Sequence, residues 1–306
     1  MPRIITLTLN PAIDKSTTVP GLLAEHKMRC TPPKFEPGGG GINVTRALRK
    51  LGGESTAFYL AGGYSGQFFT ELLQREGVNA QPLPIAQPTR ENLIVVDTAT
   101  NQQYRFGMDG PQVSEPEWQH ALDVLSQQTA VDFLVGSGSL PPGVPTDFYG
   151  KLANVAQIIG AKLILDTSGE ALRQAVGKGV YLLKPNLREL SALAGVEELE
   201  LDEIDDAALE IIRRGDSQII VVSLGAQGAL LVSEDVVEHV KALTVKKRST
   251  VGAGDSMVAG MTLALSWGWP LPDVVRYGVA CGTAATMNAG TELCRPQDVE
   301  RLFRKV

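Results

Sequence analysis

Positions 250–256 read Thr-Val-Gly-Ala-Gly-Asp-Ser, so two glycines and one carboxylate stand directly before an apolar pattern with helical spacing. A glycine turn that opens a helix presents unpaired N–H groups and the positive end of the helix dipole, and both attract phosphate. A carboxylate beside a bound anion is unfavourable unless it has a proton to accept. We therefore interpret Asp255 as a base that deprotonates a substrate hydroxyl while a phosphoryl group arrives. The alternative is an ordinary helix start with aspartate in its first turn.

Small and polar residues follow several apolar strands, where doubly wound sheets bind their ligands. Asp14 lies just after the first strand and is placed to accept hydrogen bonds from sugar hydroxyls. Four glycines at positions 38–41 lead into a helix whose first turn carries Asn43, and their N–H groups can approach a small ligand closely. Ser139 lies in the glycine- and proline-rich segment 136–143. An Asx turn, a flexible linker and a plain loop are the respective alternatives.

Charged and amide side chains supply candidate phosphate and metal ligands. Arg90 is a natural bidentate partner for phosphate, although a solvated surface arginine fits the same pattern. Asn186 and Glu189 are three residues apart, so one helical face carries both and could hold hydrated Mg²⁺. A helix N-cap with a capping-box glutamate explains the same pair, and the two roles are compatible. The segment 223–228 is a tight glycine turn between two apolar strands, and a plain hairpin is its default interpretation.

Composition narrows the possible partners and rules out several classes of enzyme. The net charge of −6 and the absence of a basic run make nucleic acid and anionic membrane poor partners, and no apolar run approaches the ~20 residues of a membrane helix. Three cysteines without metal spacing predict reduced thiols in a cytoplasmic protein. The sequence contains no G-x-x-x-x-G-K-[ST], protein-kinase H-R-D or H-E-x-x-H motif.

Short apolar runs alternate with helical patterns and predict an α/β fold with a parallel sheet covered by helices. The predicted strands are 4–9, 55–60, 131–135, 162–166, 180–183 and 218–223, followed by closely spaced antiparallel pieces at 229–232, 236–240 and 243–245. The predicted helices are 42–51, 67–76, 115–127, 146–159, 188–194, 203–213, 254–266 and 271–289. Segments 14–35 and 90–106 alternate instead, which predicts a small antiparallel sheet beside the main domain. Such a sheet needs a substrate or a second subunit to cover its inner face.

In their order along the chain, these segments resemble the ribokinase-like, or PfkB, sugar kinases over essentially the whole sequence. The most specific pieces are Gly252–Asp255 and Lys184-Pro-Asn186 with Glu189. Within the family, the chain is most similar to the minor-type bacterial 6-phosphofructokinases. Gly40 supports this, because many 1-phosphofructokinases and tagatose-6-phosphate kinases carry lysine there. The resemblance implies a single kinase domain over 1–306, a three-layer αβα sandwich with a mainly parallel central sheet, and a small antiparallel β lid from about 14–36 and 89–108.

The resemblance also implies a reaction, namely ATP- and Mg²⁺-dependent phosphorylation of the 1-hydroxyl of fructose 6-phosphate to give fructose 1,6-bisphosphate in glycolysis. In this picture Asp255 is the base, and the anion hole is Gly252, Ala253 and Gly254. The substrate contacts are Asp14, Gly39, Gly40, Asn43 and Ser139, with Arg90 and Asn92 at the sugar-phosphate end and Lys27 reaching into a partner's site. The nucleotide contacts are Lys184, Asn186, Ser223, Gly225, Gly228, Thr250 and Asn288. Glu189 holds Mg²⁺ directly or through water, and carbonyls around Ser249, Val251, Ala285, Asn288 and Gly290 resemble a K⁺ loop.

Assembly and competing functions complete the expectations. We expect a homodimer formed through the exposed lid face, with Val19, Leu22 and Met28 available for contact. The nearest alternatives are kinases of tagatose 6-phosphate or fructose 1-phosphate, and only a substrate panel separates them. Arg90 and Lys27 disfavour a nucleoside or ribose kinase, whose substrates lack a terminal phosphate. An intact Asp255 and Glu189 disfavour a non-catalytic regulator that binds sugar phosphate or nucleotide.

Overall fold

The computed structural model describes residues 3–306, which form thirteen strands in two sheets. The strands are β1 (Ile4–Thr8), β2 (Ala12–Val19), β3 (Lys34–Gly38), β4 (Ser55–Ala61), β5 (Asn79–Pro84), β6 (Arg90–Asp97), β7 (Gln102–Phe106), β8 (Phe133–Ser137), β9 (Lys162–Asp166), β10 (Val180–Leu183), β11 (Ser217–Ser223), β12 (Ala229–Val232) and β13 (Val237–Val240). The central sheet has nine strands in the order β13-β12-β11-β10-β9-β8-β1-β4-β5. Its strands run parallel except at the β11–β12 and β12–β13 pairs, which are antiparallel.

Helices cover both faces of the central sheet. They are α1 (Gly40–Lys50), α2 (Gly63–Arg75), α3 (Glu115–Ser126), α4 (Phe148–Ile158), α5 (Gly169–Ala175), α6 (Leu187–Ala194), α7 (Ile204–Arg213), α8 (Ala253–Ser266), α9 (Leu271–Thr286) and α10 (Pro296–Phe303). Alternate strand residues enter opposite cores, so Leu163 and Leu165 pack with the α3–α7 side and Ile164 with the α8–α10 side. Because both faces are covered, the inner strands are mostly apolar, and the predicted αβα sandwich is confirmed.

Strands β3, β2, β6 and β7 form the small sheet, called here the lid. Its outer pairs are antiparallel as predicted, but the central β2–β6 pair is parallel, with Ala12 opposite Arg90 and Val19 opposite Asp97. The chain leaves the main sheet for the lid twice in the same direction, so the two departing strands run side by side. Segment 27–30, which alternates like a strand, is instead part of an exposed connection between β2 and β3.

Other departures from the predicted elements occur at the margins of the fold. Segment 243–245 is not a strand, whereas β5, α5 and α10 lack a sequence prediction. Strand β5 contains two prolines and only Leu83 is buried in it, because it lies at the edge of the sheet and has few apolar neighbours. Among residues 3–306, no helix is long and apolar enough to cross a membrane. Cys30, Cys281 and Cys294 are free thiols.

Candidate active site

The carboxyl ends of the parallel strands meet at one edge of the central sheet, and two pockets lie there. The first, about 300 Å³, is lined by the predicted site residues Gly39, Gly40, Asn43, Ser139, Glu189 and Asp255, together with Ser137, Gly138, Asp166, Thr167 and Ser168. The second, about 450 Å³, is lined by Ser223, Gly225, Gly228, Thr250, Ala253 and Gly254, and by apolar residues such as Val245, Met257 and Val279. Gly254 faces the second pocket and Asp255 faces the first, so the start of α8 separates them.

Asp255 lies in the first turn of α8, where its carboxylate is held from across the pocket. Its Oδ2 accepts a hydrogen bond of 2.9 Å from Asn43 Nδ2, which comes from the first turn of α1. Burial raises the pKa of Asp255 to about 7, and the nearby Asp166 carboxylate adds to the rise, while the Asn43 hydrogen bond and the Lys184 charge oppose it. A carboxylate with a pKa near neutrality can exchange a proton at working pH.

The turn before α8 exposes amide donors to this region. Gly252 precedes the helix with a φ of +70°, a left-handed conformation that favours glycine. The Ser256 N–H donates to the Gly252 carbonyl at 2.8 Å. The N–H groups of Gly254 and Asp255 precede Ser256 in the chain, at the very start of the helix. Early helical N–H groups have no carbonyl partner within their own helix, so this end of α8 can accept an anion.

Asp166 is the principal site residue that the sequence analysis missed. It ends β9 and forms an ion pair with Lys184, the residue after β10, at 3.1 Å. Burial lowers the pKa of the Lys184 ammonium, but the Asp166 ion pair outweighs this effect and holds the pKa above its usual value. Lys184 lies beside Gly254, since its Nζ would be 3.6 Å from a Cβ built there. A lone aspartate at the end of a strand matches no motif. The only sequence signal near it in the fold is the Lys-Pro-Asn segment that follows the adjacent strand β10.

The lid holds a second group of predicted polar side chains, which lies outside the lining of both pockets. Asp14 in β2 accepts a hydrogen bond of 2.9 Å from Asn92 in β6, and burial raises the pKa of the Asp14 carboxyl against this bond and the Arg90 charge. Arg90 donates to the carbonyls of Asn10 and Met108 at 2.9 and 3.0 Å. Its Nε is buried and has no partner among the described residues. Both side chains therefore lie at the junction of lid and central sheet.

The glycine run allows the lid strand and α1 to approach strand ends closely. Gly39 has a φ of +116°, and a Cβ built there would lie 2.8 Å from the Thr8 side chain. A Cβ at Gly40 would overlap Ser137. No larger residue fits these positions without movement of the backbone, so the run serves close packing as well as access to the pocket.

Asn186 and Glu189 form a complete capping box at the start of α6. The Glu189 N–H donates to Asn186 Oδ1 at 2.9 Å, and the Asn186 N–H donates to Glu189 Oε2 at 2.8 Å. Glu189 also lines the first pocket beside Asp166 and Asp255, so the structural role does not remove the carboxylate from the site. Residues 3–306 contain no group of three or more His, Cys, Asp or Glu side chains arranged to hold a metal ion.

Most of the predicted nucleotide and cation residues separate into two places, while Lys184 and Asn186 line neither pocket. The residues at 223, 225, 228 and 250 line the second pocket, and Lys247 joins them. Asn288 does not line that pocket, because its amide donates to the Leu293 carbonyl at 2.9 Å. In the predicted cation loop, Ser249 Oγ donates to the Gly290 carbonyl at 2.7 Å, and the Asn288 N–H donates to the Ala285 carbonyl at 3.1 Å. The Val251 N–H also donates to Ser249 Oγ, so hydrogen bonds connect residues of the predicted loop, and its role in binding a cation stays a prediction.

Of the expectations for the lid surface, the one for Val19 is wrong and the one for Lys27 stays a prediction. Lys27 lies in the exposed β2–β3 connection, away from the pocket of its own chain. Val19 is 2% exposed, so the expectation that it is available on the lid surface is wrong. Its side chain is buried in β2, whereas the large apolar residues exposed in or beside the lid are Leu23, Tyr104, Phe106 and Met108.

Comparison with known proteins identifies the family of this chain. The model of the pfkB family carbohydrate kinases matches residues 7–298. The ATP-dependent 6-phosphofructokinase isozyme 2 of Mycobacterium tuberculosis is 46% identical over 99% of this chain and 89% of its own, and that of Escherichia coli is 45% identical over 99% and 98%. A Bacillus subtilis 1-phosphofructokinase is 30% identical over 99% and 98%.

Solved structures of Escherichia coli phosphofructokinase-2 superpose over nearly the whole chain. The complex with potassium has a TM-score of 0.96 at 45% identity, and the complex with fructose-6-phosphate has a TM-score of 0.94 at 43% identity; each match covers 100% of this chain and 99% of the other. The tetrameric inhibited form has a TM-score of 0.94 at 44% identity with the same coverage. The chain belongs to the pfkB family of carbohydrate kinases.

Proposed function

We propose that this chain transfers the γ-phosphoryl group of ATP to the 1-hydroxyl of fructose 6-phosphate. One observation carries the proposal: the Asp255 carboxylate stands at the boundary between the two pockets, beside the amide-bearing start of α8. A sugar hydroxyl in the first pocket and a nucleotide phosphate in the second would meet at this boundary. The higher identity to the 6-phosphofructokinase relatives than to the 1-phosphofructokinase supports the choice of sugar phosphate.

In the proposed reaction, Asp255 accepts the proton of the 1-hydroxyl as the oxygen attacks phosphorus. Asn43 orients the carboxylate through its hydrogen bond. Amides at Gly252, Ala253 and Gly254 stabilise the charge of the transferred group, since phosphoryl transfer depends mainly on positioning and electrostatics. The lid would exclude water from the bound sugar and so limit ATP hydrolysis.

The sugar phosphate is proposed to lie between lid and sheet. Asp14, Gly39, Gly40, Asn43 and Ser139 contact the sugar in this proposal, with Asn92 and Arg90 near its phosphate. The buried and unpartnered Nε of Arg90 supports this, because an anion would satisfy that donor. Lys27 of a second copy would complete the phosphate site, since Lys27 is exposed and does not line the pocket of its own chain.

The nucleotide is assigned to the second pocket, and Mg²⁺ is assigned to carboxylates of the first pocket, close to Asp255. The proposed nucleotide contacts are Lys184, Asn186, Ser223, Gly225, Gly228 and Thr250, and the position of Asn288 supports only the cation loop. Carboxylates at Glu189 and Asp166 are the oxygen ligands that Mg²⁺ prefers, directly or through water. Mg²⁺ would neutralise charge on the transferring phosphoryl group. For K⁺, the proposed ligands are carbonyls of the loop formed by Ser249, Val251, Ala285, Asn288 and Gly290, and the relative solved with potassium supports this assignment.

We propose a homodimer formed through the lid. Leu23, Phe106 and Met108 are exposed there, and β7 is an edge strand with every residue exposed. Unpaired edge strands and exposed apolar residues favour association. Size-exclusion chromatography with light scattering at micromolar concentration tests this: a dimer or a larger even-numbered assembly is expected, and a monomer contradicts it.

A coupled ADP-release assay tests the reaction. Fructose 6-phosphate is offered beside fructose, fructose 1-phosphate and tagatose 6-phosphate, with Mg²⁺ and with K⁺ or Na⁺. We expect the highest kcat/KM with fructose 6-phosphate and conversion to a bisphosphate. Preference for either other sugar phosphate would support the corresponding kinase instead, and preference for fructose would refute the phosphate site at Arg90. Ligand binding without ADP release would support a regulator.

A further inference from the structure

Arg46 in α1 connects the C-terminal end of α2 to the candidate active site, although Arg46 itself lines neither pocket. Its guanidinium pairs with both oxygens of Glu76, the C-cap residue of α2, at 2.6 and 2.7 Å. The remaining nitrogen, Nη1, donates to the Pro37 carbonyl at 2.8 Å and to Asn43 Oδ1 at 3.3 Å. Arg46 is only 6% exposed, so these contacts account for its burial.

The contact with Asn43 matters because the side-chain amide of Asn43 has an oxygen that accepts hydrogen bonds and a nitrogen that donates them. Arg46 donates to the oxygen of its amide, which leaves the nitrogen to donate to Asp255 Oδ2 at 2.9 Å. With the amide reversed, an oxygen would face the carboxylate and repel it. Arg46 has no acceptor atoms, so it can only stabilise the orientation in which the amide nitrogen points at Asp255.

The contact with Pro37 acts on the other half of the substrate site. Pro37 is the second-last residue of β3 and stands just before the glycine run. Strand β3 pairs with β2 so that Pro37 lies opposite Ile13 and Glu36 opposite Asp14. Holding the Pro37 carbonyl therefore fixes where the chain passes from the lid to α1. The contacts with Pro37 and Asn43 both come from Arg46 Nη1, and the ion pair with Glu76 holds the guanidinium in place.

We propose that Arg46 is a positioning residue for phosphoryl transfer: it fixes the Asn43 amide that holds the base and the Pro37 carbonyl that anchors the glycine run. This inference rests on the proposed function, in which Asp255 is the base. The guanidinium shape is essential, because five donors in a planar fork serve Glu76, Pro37 and Asn43 at once, whereas a lysine ammonium cannot span all three.

The first experiment compares Arg46→Lys with Arg49→Gln. Arg49 also lies on α1 and donates to Glu76, through the Glu76 carbonyl at 2.9 Å, but it contacts neither Asn43 nor Pro37. Arg46→Lys should lower kcat about tenfold to a hundredfold, the range seen when catalytic groups are misplaced by small distances. Arg49→Gln should keep the wild-type kcat. Equal kcat values in both variants and the wild type would refute the positioning role.

The pH profile supplies a readout that a purely structural role would not move. Asp255 is faced by Asn43 from α1, Asp166 from β9, Lys184 after β10 and Glu189 from α6. Only the first of these contacts depends on Arg46. Losing a donor to the carboxylate disfavours its charged form, so the acidic limb of kcat should move up by about one pH unit in Arg46→Lys. An unmoved limb together with a lowered Tm would mean that Arg46 only joins α1 to α2.

A double-mutant cycle identifies the route. In an Asn43→Ala background, Arg46→Lys should cost no further kcat, while KM for fructose 6-phosphate still rises through Pro37. If Arg46→Lys lowers kcat in the Asn43→Ala background by the same factor as in the wild type, Arg46 does not act through Asn43. If the lysine variant does not fold, Arg46→Gln replaces it, because Glu76 is 34% exposed and can be hydrated. The turnover of the wild type and its loss in Asp255→Asn are measured first. If the wild type shows no turnover, the proposed function is refuted. If the Arg46 variants turn over normally, only this inference is refuted.

Discussion

Replacing Asp255 by asparagine should make the protein nearly inactive and, at the same time, more stable at alkaline pH. Burial raises the pKa of this carboxyl from 3.8 to about 7, so ionising it in the folded chain is unfavourable. The folded state binds the proton more tightly than the unfolded state, so the carboxyl destabilises the fold progressively as pH rises from about 4 to 7. At pH 8 this penalty is at most about 4 kcal/mol, and at pH 5 it is less than about 2 kcal/mol.

Asparagine keeps the size of the side chain and an oxygen for the Asn43 donor, but it has no charge to bury. We expect Asp255→Asn to raise Tm by at least ~2 °C at pH 8, with a gain that shrinks towards pH 5. Because the base is lost, kcat should fall by ~10²–10⁴-fold while both substrates still bind. Differential scanning calorimetry at pH 5 and pH 8, isothermal titration and the ADP-release assay measure these effects.

The control is Asp123→Asn, which changes an exposed aspartate on α3 and should alter neither kcat nor the pH dependence of Tm. The wild type itself should lose kcat below about pH 7, as the carboxylate is protonated. A loss of stability in Asp255→Asn at pH 8 would refute the reasoning from burial. Near-normal turnover in that variant would reject Asp255 as the base.

Further predictions concern the sugar phosphate, the metal and the nucleotide. Arg90→Ala should raise KM for fructose 6-phosphate at least ~10-fold and leave KM for ATP unchanged in steady-state kinetics, since a charged hydrogen bond is lost; an equal rise in both would contradict this. Glu189→Gln keeps the hydrogen bond to the Asn186 N–H, because glutamine also completes a capping box, so Tm should hold while the Mg²⁺ concentration for half-maximal rate rises. An unchanged Mg²⁺ titration would remove Glu189 from the metal site. Gly228→Ala should lower Tm and raise KM for ATP, because its φ is +99° and a Cβ would overlap the Val240 carbonyl, at a cost of about 1–3 kcal/mol. Gly225→Ala, at φ +59° in open space, is the milder control, and equal losses in both would contradict the steric explanation.

The position of Asp255 relative to Asn43 illustrates why sequence order alone is insufficient at the site. The two residues are 212 positions apart, and each lies in the first turn of a helix whose N-cap residue is a glycine. The sequence identifies each as a candidate, because a glycine turn before an apolar helix is a local feature. Their hydrogen bond arises only when α1 and α8 pack on the same face of the sheet, which is a long-range outcome.

From the sequence alone one obtains the αβα architecture, most of the strands and helices, the glycine turns, and the candidate base, because these depend on local periodicity and turn chemistry. Tertiary structure alone decides the parallel β2–β6 pairing, the inward position of Val19, the ion pair of Asp166 with Lys184, and the raised pKa of Asp255. Each of these depends on which distant residues become neighbours and how much water they exclude. Burial and electrostatic coupling belong to the assembled fold, and no spacing along the chain encodes their size.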